Sequence, residues 1–213
     1  MSVPPRDPSA AIRQTVERYY ANRLREFGPT ARGVDWNSAD SQELRFDQLL
    51  TVVQDAPGAS LLDVGCGYGA LLDTIRRRGL PLDYRGCDFS DEMVAAARLR
   101  HAADAHASFA IDAAAFGPST YAVASGIFNV RLHHDDAEWR DYVHATLRQL
   151  DAAGTRGFAF NMLSTYSDVE RRRDTLYYAD PLEIFDLCKR TYSPRVALLH
   201  DTPLYEFTIV VRK

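Results

Sequence analysis

Cysteine is scarce in this chain. Its three residues, Cys66, Cys87 and Cys188, form no C-x-x-C pair and leave an odd count, which argues against a disulfide framework or a cysteine zinc site and suits a reducing compartment. An excess of one charge is also missing: a formal charge of -4 and a pI near 5.9 give no basic footprint for nucleic acid. No apolar run approaches the ~20 residues that a spanning helix needs. The start, Met1 to Ala10, has three prolines, two charges and no apolar core, so it reads as neither a secretory signal nor an anchor. These absences predict a soluble, cytoplasmic protein without a nucleic-acid or membrane partner. Adjacent His133 and His134 precede Asp135 and Asp136, but neighbouring histidines point apart in a strand or helix and the aspartates have a capping role. No metal site is expected.

What the chain does have is 46% hydrophobic residues in 213, enough for one sizeable core, and a stretch from Leu61 to Leu72 reading L-L-D-V-G-C-G-Y-G-A-L-L. An apolar strand delivers Asp63, and Gly65, Gly67 and Gly69 then let the backbone turn sharply and approach a ligand. Gly65, Gly67 and Ala70 also satisfy G-x-G-x-x-G/A, the dinucleotide fingerprint that sets a pyrophosphate on a helix N-terminus. Asp63 separates the two readings. A carboxylate sits badly beside a pyrophosphate but accepts hydrogen bonds from a cationic ligand.

Strands and helices alternate after an N-terminal helical region, predicting a parallel sheet covered on both faces. Strands are expected at Ser60 to Val64, Leu82 to Cys87, Ala107 to Ile111, Tyr121 to Phe128 and Gly157 to Leu163. Helices are expected at Tyr68 to Arg78, after the Ser90 cap, from the Asp135 cap to about Leu150, and at Pro181 to Lys189. Two last strands, Arg195 to His200 and Tyr205 to Val211, are joined by only Asp201 to Leu204. That link is too short for a parallel crossover, so the pair must be antiparallel. Upstream, Ile12, Val16, Tyr20, Leu24 and Phe27 recur at helical spacing after Ser9, and a second helix runs from Ser38 or Ser41 to Gln54. Arg76 to Arg78 fall at a helix end, where cations complement the dipole. Arg171 to Arg173 read either as an anion site or as a solvated face.

The pattern D-x-G-x-G-x-G with its closing hairpin resembles class I S-adenosylmethionine-dependent methyltransferases. The segments G-V-D-W-N-S-A-D-S-Q-E-L-R-F, A-S-G-I-F-N-V, L-Y-Y-A-D-P and L-Y-E-F-T-I-V-V-R-K resemble a group of small bacterial methyltransferases of unassigned substrate. The resemblance implies an α/β, Rossmann-like sheet of seven strands, with residues 1–57 as a helical lid on a methyltransferase domain at 58–213. It implies S-adenosylmethionine as cofactor, held by Asp63, Gly65, Cys66, Gly67 and Gly69, by Asp88 on the ribose, by Phe89 and Asp112 at the adenine, and by Arg45 on the methionine carboxylate. Tyr20, Trp36, Asn37, Tyr166 and Tyr178 would face the substrate. Asn129, His133 and His134 would lie beside the transferred methyl, one histidine serving as a general base. Cys66 reads as a small packed side chain rather than a nucleophile, no electropositive partner being evident, and Trp36 reads equally as an anchor of the helices. The expected reaction is methylation of oxygen or nitrogen on a small polar metabolite. The amine-methylating signature N/D-P-P-Y is absent where Ile127-Phe128-Asn129-Val130 stands, which weakens a nucleic-acid base or glutamine amide as acceptor. An NAD-dependent oxidoreductase and a non-catalytic cofactor-binding protein are the alternatives.

Overall fold

The computed structural model describes residues 8–55 and 57–213. The expectation for Met1 to Ala10 falls mostly outside them, Pro8 to Ala10 forming the first turn of α1 (Pro8–Phe27). Strands β1 (Ser60–Val64), β2 (Asp83–Cys87), β3 (Ala107–Ala110), β4 (Ser119–Ala124), β5 (Gly154–Leu163), β6 (Arg195–Leu199) and β7 (Glu206–Arg212) form one sheet in the order β3-β2-β1-β4-β5-β7-β6. The first five are parallel, and β7 runs antiparallel to both neighbours. The seven-stranded sheet with its closing antiparallel pair is therefore as expected.

Side chains that alternate along the strands feed two apolar layers. On one face, Leu62, Ala122, Phe158, Phe160 and Ile209 meet Ile12 of α1, Trp139 and Leu147 of α5 (Asp136–Ala153), and Ile184 of α6 (Pro181–Thr191). On the other, Leu61, Tyr121, Val123 and Val210 meet Phe46 and Leu49 of α2 (Ala39–Leu50), Leu71 and Ile75 of α3 (Ala70–Arg77), and Val94 of α4 (Asp91–Arg100). Both N-terminal helices thus share the core of the sheet. Asp135 caps α5 through the amides of Ala137 and Glu138, and Ser38 and Ser41 form a reciprocal capping box on α2.

Several details differ from the sequence reading. β4 stops at Ala124, because Gly126 takes a left-handed φ of 75° and turns the chain. α5 runs on to Ala153, and β5 begins directly at Gly154. His133 and His134 stack with ring centroids 4.7 Å apart instead of diverging, since Leu132 at φ 56° breaks regular geometry just before them. The arginines at the end of α3 do more than complement a dipole: Arg76 grips Asp104, Arg77 pairs with Glu43 and Arg78 with Asp47, the last two tying α3 to α2. In the other run, Arg171 lies near Asp168 and Arg172 donates to the Ser167 carbonyl. All three arginines of that run are exposed, the solvated-face alternative.

Candidate active site

A cavity of about 370 Å³ lies at the carboxyl ends of β1, β2 and β4, where strand order reverses and ligands of open α/β sheets bind. Its floor is the turn from Asp63 to Tyr68. Gly65 needs its missing Cβ twice over: φ is 75°, and a Cβ would stand 2.3 Å from Cγ2 of Ile127. The roof is α1, through Arg13, Val16, Glu17 and Tyr20, together with Val34 and Trp36 from the segment joining α1 to α2. Asp35, in the left-handed region at φ 62°, holds this segment by accepting from Tyr19 and pairing with Arg23 at 2.6 Å.

The electrostatics are one-sided. Among the described residues, Glu17, Asp63, Asp88 and Asp112 line the cavity against Arg13 alone among cations. Asp88 is held by both oxygens, one accepting from the Gly67 amide at 2.9 Å and the other from Ser90 at 3.0 Å. Burial raises its pKa above the ordinary value, against the lowering by these two amides. Asp63, 3% exposed, accepts from the Tyr84 hydroxyl at 2.6 Å. Its burial pushes the pKa up to about 7, the Tyr84 bond opposing and the Asp88 charge adding to the shift. Arg13 lies over the Phe89 ring at 4.9 Å. Cys66 is buried, and desolvation raises its thiol well above the ordinary pKa, so it stays a packed, protonated side chain.

Of the residues expected to hold a cofactor, Asp63, Gly65, Cys66, Gly67, Asp88, Phe89 and Asp112 line this cavity, as do Tyr20 and Trp36 from the expected substrate set. Others stand elsewhere, for physical reasons. Arg45 is buried in an ion pair with Glu206, at 2.7 Å and 2.9 Å, and lies 3.9 Å over the Trp36 ring; its charge is already matched. Gly69 is required by packing, its Cβ position being 2.9 Å from the His101 ring. Asn129 is a joint of the scaffold: its side-chain oxygen accepts from the Leu163 amide at 3.1 Å, its carbonyl from the Tyr177 amide at 2.8 Å, and its amide group donates to Glu206 at 3.5 Å. His134 is buried beside Glu138, 3.4 Å away, and His133 is exposed. Asn37 is exposed, Tyr166 is 68% exposed near His200, and the Tyr178 hydroxyl accepts from the Arg173 amide. None of these side chains lines the cavity.

The cavity also gathers Arg13, Glu17, Gln42, Ser125, Tyr142, Thr146 and Gln149, to which no site role was assigned from sequence. Tyr142 and Thr146 carry the same helical spacing as core residues, and nothing in the pattern distinguishes a wall from a core. No cluster of metal-ligating side chains occurs among the described residues, and no helix there is long and apolar enough to cross a membrane.

A family model described as a methyltransferase domain matches residues 61–154. The protein called "Putative methyltransferase Rv1506c" from Mycobacterium tuberculosis (strain ATCC 25618 / H37Rv) is 56% identical over 164 residues, 77% of this chain and 99% of the relative. Among solved structures, a DhpI-SAM-HEP complex superposes with a TM-score of 0.61 at 16% identity, over 95% of this chain and 98% of that one. Human N-acetylserotonin methyltransferase in complex with SAM gives 0.62 at 13% identity, over 99% of this chain and 60% of that one. The methyltransferase domain of bacterial CtHen1-C gives 0.60 at 14% identity, over 80% and 97%. With that relative, the glycine turn and the sheet order in agreement, the chain belongs to the class I S-adenosylmethionine-dependent methyltransferases.

Proposed function

We propose that the protein transfers a methyl group from S-adenosylmethionine to an oxygen or nitrogen of a small polar molecule. The observation that carries this reading is the cavity itself, a roofed compartment to which the described residues bring four carboxylates and one cation. A cofactor bearing an ammonium and a sulfonium fits such a lining, whereas the pyrophosphate of a dinucleotide would face uncompensated negative charge. The fit extends to individual groups. Asp63 would take the ammonium, Asp88 the ribose hydroxyls, Phe89 one face of the adenine and Asp112 its amino group.

S-adenosylmethionine, when bound, supplies the methyl on a positively charged sulfur. The chain's own part is then to orient and enclose. Val34 lies over the glycine turn and Trp36 over the Gly126 turn, where they would keep water from the bound reactants. Tyr20 and Trp36 would form the acceptor's wall and align it for in-line displacement. His133 and His134 stand off the cavity, so this reading gives neither the role of base.

Two measurements test the reading. In calorimetry, S-adenosylhomocysteine should bind and NAD should not; the reverse result would remove the cofactor assignment. Incubation with methyl-labelled S-adenosylmethionine and a mycobacterial cell extract should place label in the small-molecule fraction. Label found in nucleic acid or protein would overturn the acceptor class.

A further inference from the structure

The ion pair of Arg45 with Glu206 leaves the cofactor's α-carboxylate without the cation the sequence offered it. The geometry points to Gln42 instead: a neutral amide donor that receives this carboxylate, held in orientation by Tyr68. This rests on the cofactor reading above and adds to it the recognition of the amino-acid end.

Gln42 sits in the first turn of α2, is 7% exposed and lines the cavity. Its side-chain oxygen accepts from the Tyr68 hydroxyl at 3.4 Å. Its Nε2 donors have no acceptor among the described residues. A side-chain amide on a cavity wall whose nitrogen has no protein partner is free to donate to an acceptor on the ligand. Tyr68 is itself a member of the glycine turn and a wall of the same cavity, so the donor is fixed relative to the floor that would carry the amino acid. Asp63 lines the same cavity. An α-amino acid needs one acceptor for its ammonium and one donor for its carboxylate, and Asp63 and Gln42 supply one of each.

Ligand truncation separates this role from a structural one. S-adenosylhomocysteine carries the carboxylate; 5′-methylthioadenosine has the same nucleoside and thioether but no amino-acid group. Titrated into the full-length protein by calorimetry, Gln42→Ala should weaken S-adenosylhomocysteine by about tenfold or more, as expected for one hydrogen bond to a charged group. Gln42→Glu, which sets carboxylate against carboxylate, should weaken it further. For both variants 5′-methylthioadenosine should stay within about twofold of the wild type, given that its contacts are untouched. Tyr68→Phe should show a smaller loss with the same selectivity. An equal loss for both ligands, or an unchanged affinity for S-adenosylhomocysteine, overturns the assignment of Gln42 while leaving the cofactor reading in place. Failure of the wild type to bind either ligand overturns the cofactor reading beneath it.

Discussion

Cofactor affinity should depend on pH through Asp63. Burial pushes this carboxyl to about 7 from an ordinary 3.8, so below neutrality it is held as the acid, which cannot pair with an ammonium. Binding a cation requires the ionised form, and the apparent affinity carries the fraction ionised in the free protein. With the pKa at about 7, affinity at pH 6 should be about tenfold below its plateau above pH 8, falling by about a further 1.4 kcal/mol per pH unit below that. The same shift has a cost for the free fold. Between the two pKa values the native state binds the extra proton, so this group favours folding most below pH 4. That contribution is lost as the pH rises through 7, a difference of about 4 kcal/mol. Asp63→Asn keeps an acceptor for the Tyr84 hydroxyl and removes the charge. It should raise the melting temperature of the ligand-free protein at pH 8 while weakening the ligand and flattening its pH profile. Calorimetry with S-adenosylhomocysteine from pH 6 to 8, repeated in buffers of different ionisation enthalpy, reads both affinity and the proton released at pH 6. A flat profile without proton release would refute the reasoning; a slope that survives in Asp63→Asn would move it to another group, Asp88 being the nearest in kind.

Three other outcomes follow from particular contacts. Asp88→Ala should weaken S-adenosylhomocysteine by about 1 to 3 kcal/mol, since it removes the proposed ribose acceptor and frees the Gly67 amide; calorimetry reads the difference. Gly126→Ala places a Cβ at a left-handed φ of 75° and 2.6 Å from the Trp36 ring, so urea unfolding should show a loss of about 1 to 3 kcal/mol. Arg45→Met leaves Glu206 buried and unpaired, and denaturation should show a loss of about 3 to 5 kcal/mol. The paired change of Arg45→Met with Glu206→Leu should recover part of it, and a double-mutant cycle with no coupling energy would contradict the pairing.

Legibility followed the range of the interactions. Strands β1 and β2 and the antiparallel hairpin were readable because apolar runs, glycine turns and a short link constrain neighbouring residues directly. β4 was read too long: Ser125 to Phe128 continue its apolar character, and only Gly126, turned under the Trp36 ring, ends it. Two of the cavity's carboxylates were readable for the same local reason, as Asp63 and Asp88 stand at the ends of strands whose places are set by periodicity. Arg45 was not. The resemblance suggested it for a ligand carboxylate, yet its partner lies far along the chain at Glu206 on β7. Asn129 is a like case, spent on Leu163, Tyr177 and Glu206.

The sequence by itself determined the fold class, the cofactor family and the carboxylates at the strand ends, since each follows from residues close together in the chain. Only the tertiary structure decided which polar side chains remain free for a ligand. That is a competition among residues distant in sequence: Glu206 engages Arg45 in a buried ion pair, while Gln42, bonded to Tyr68, stays on the cavity wall.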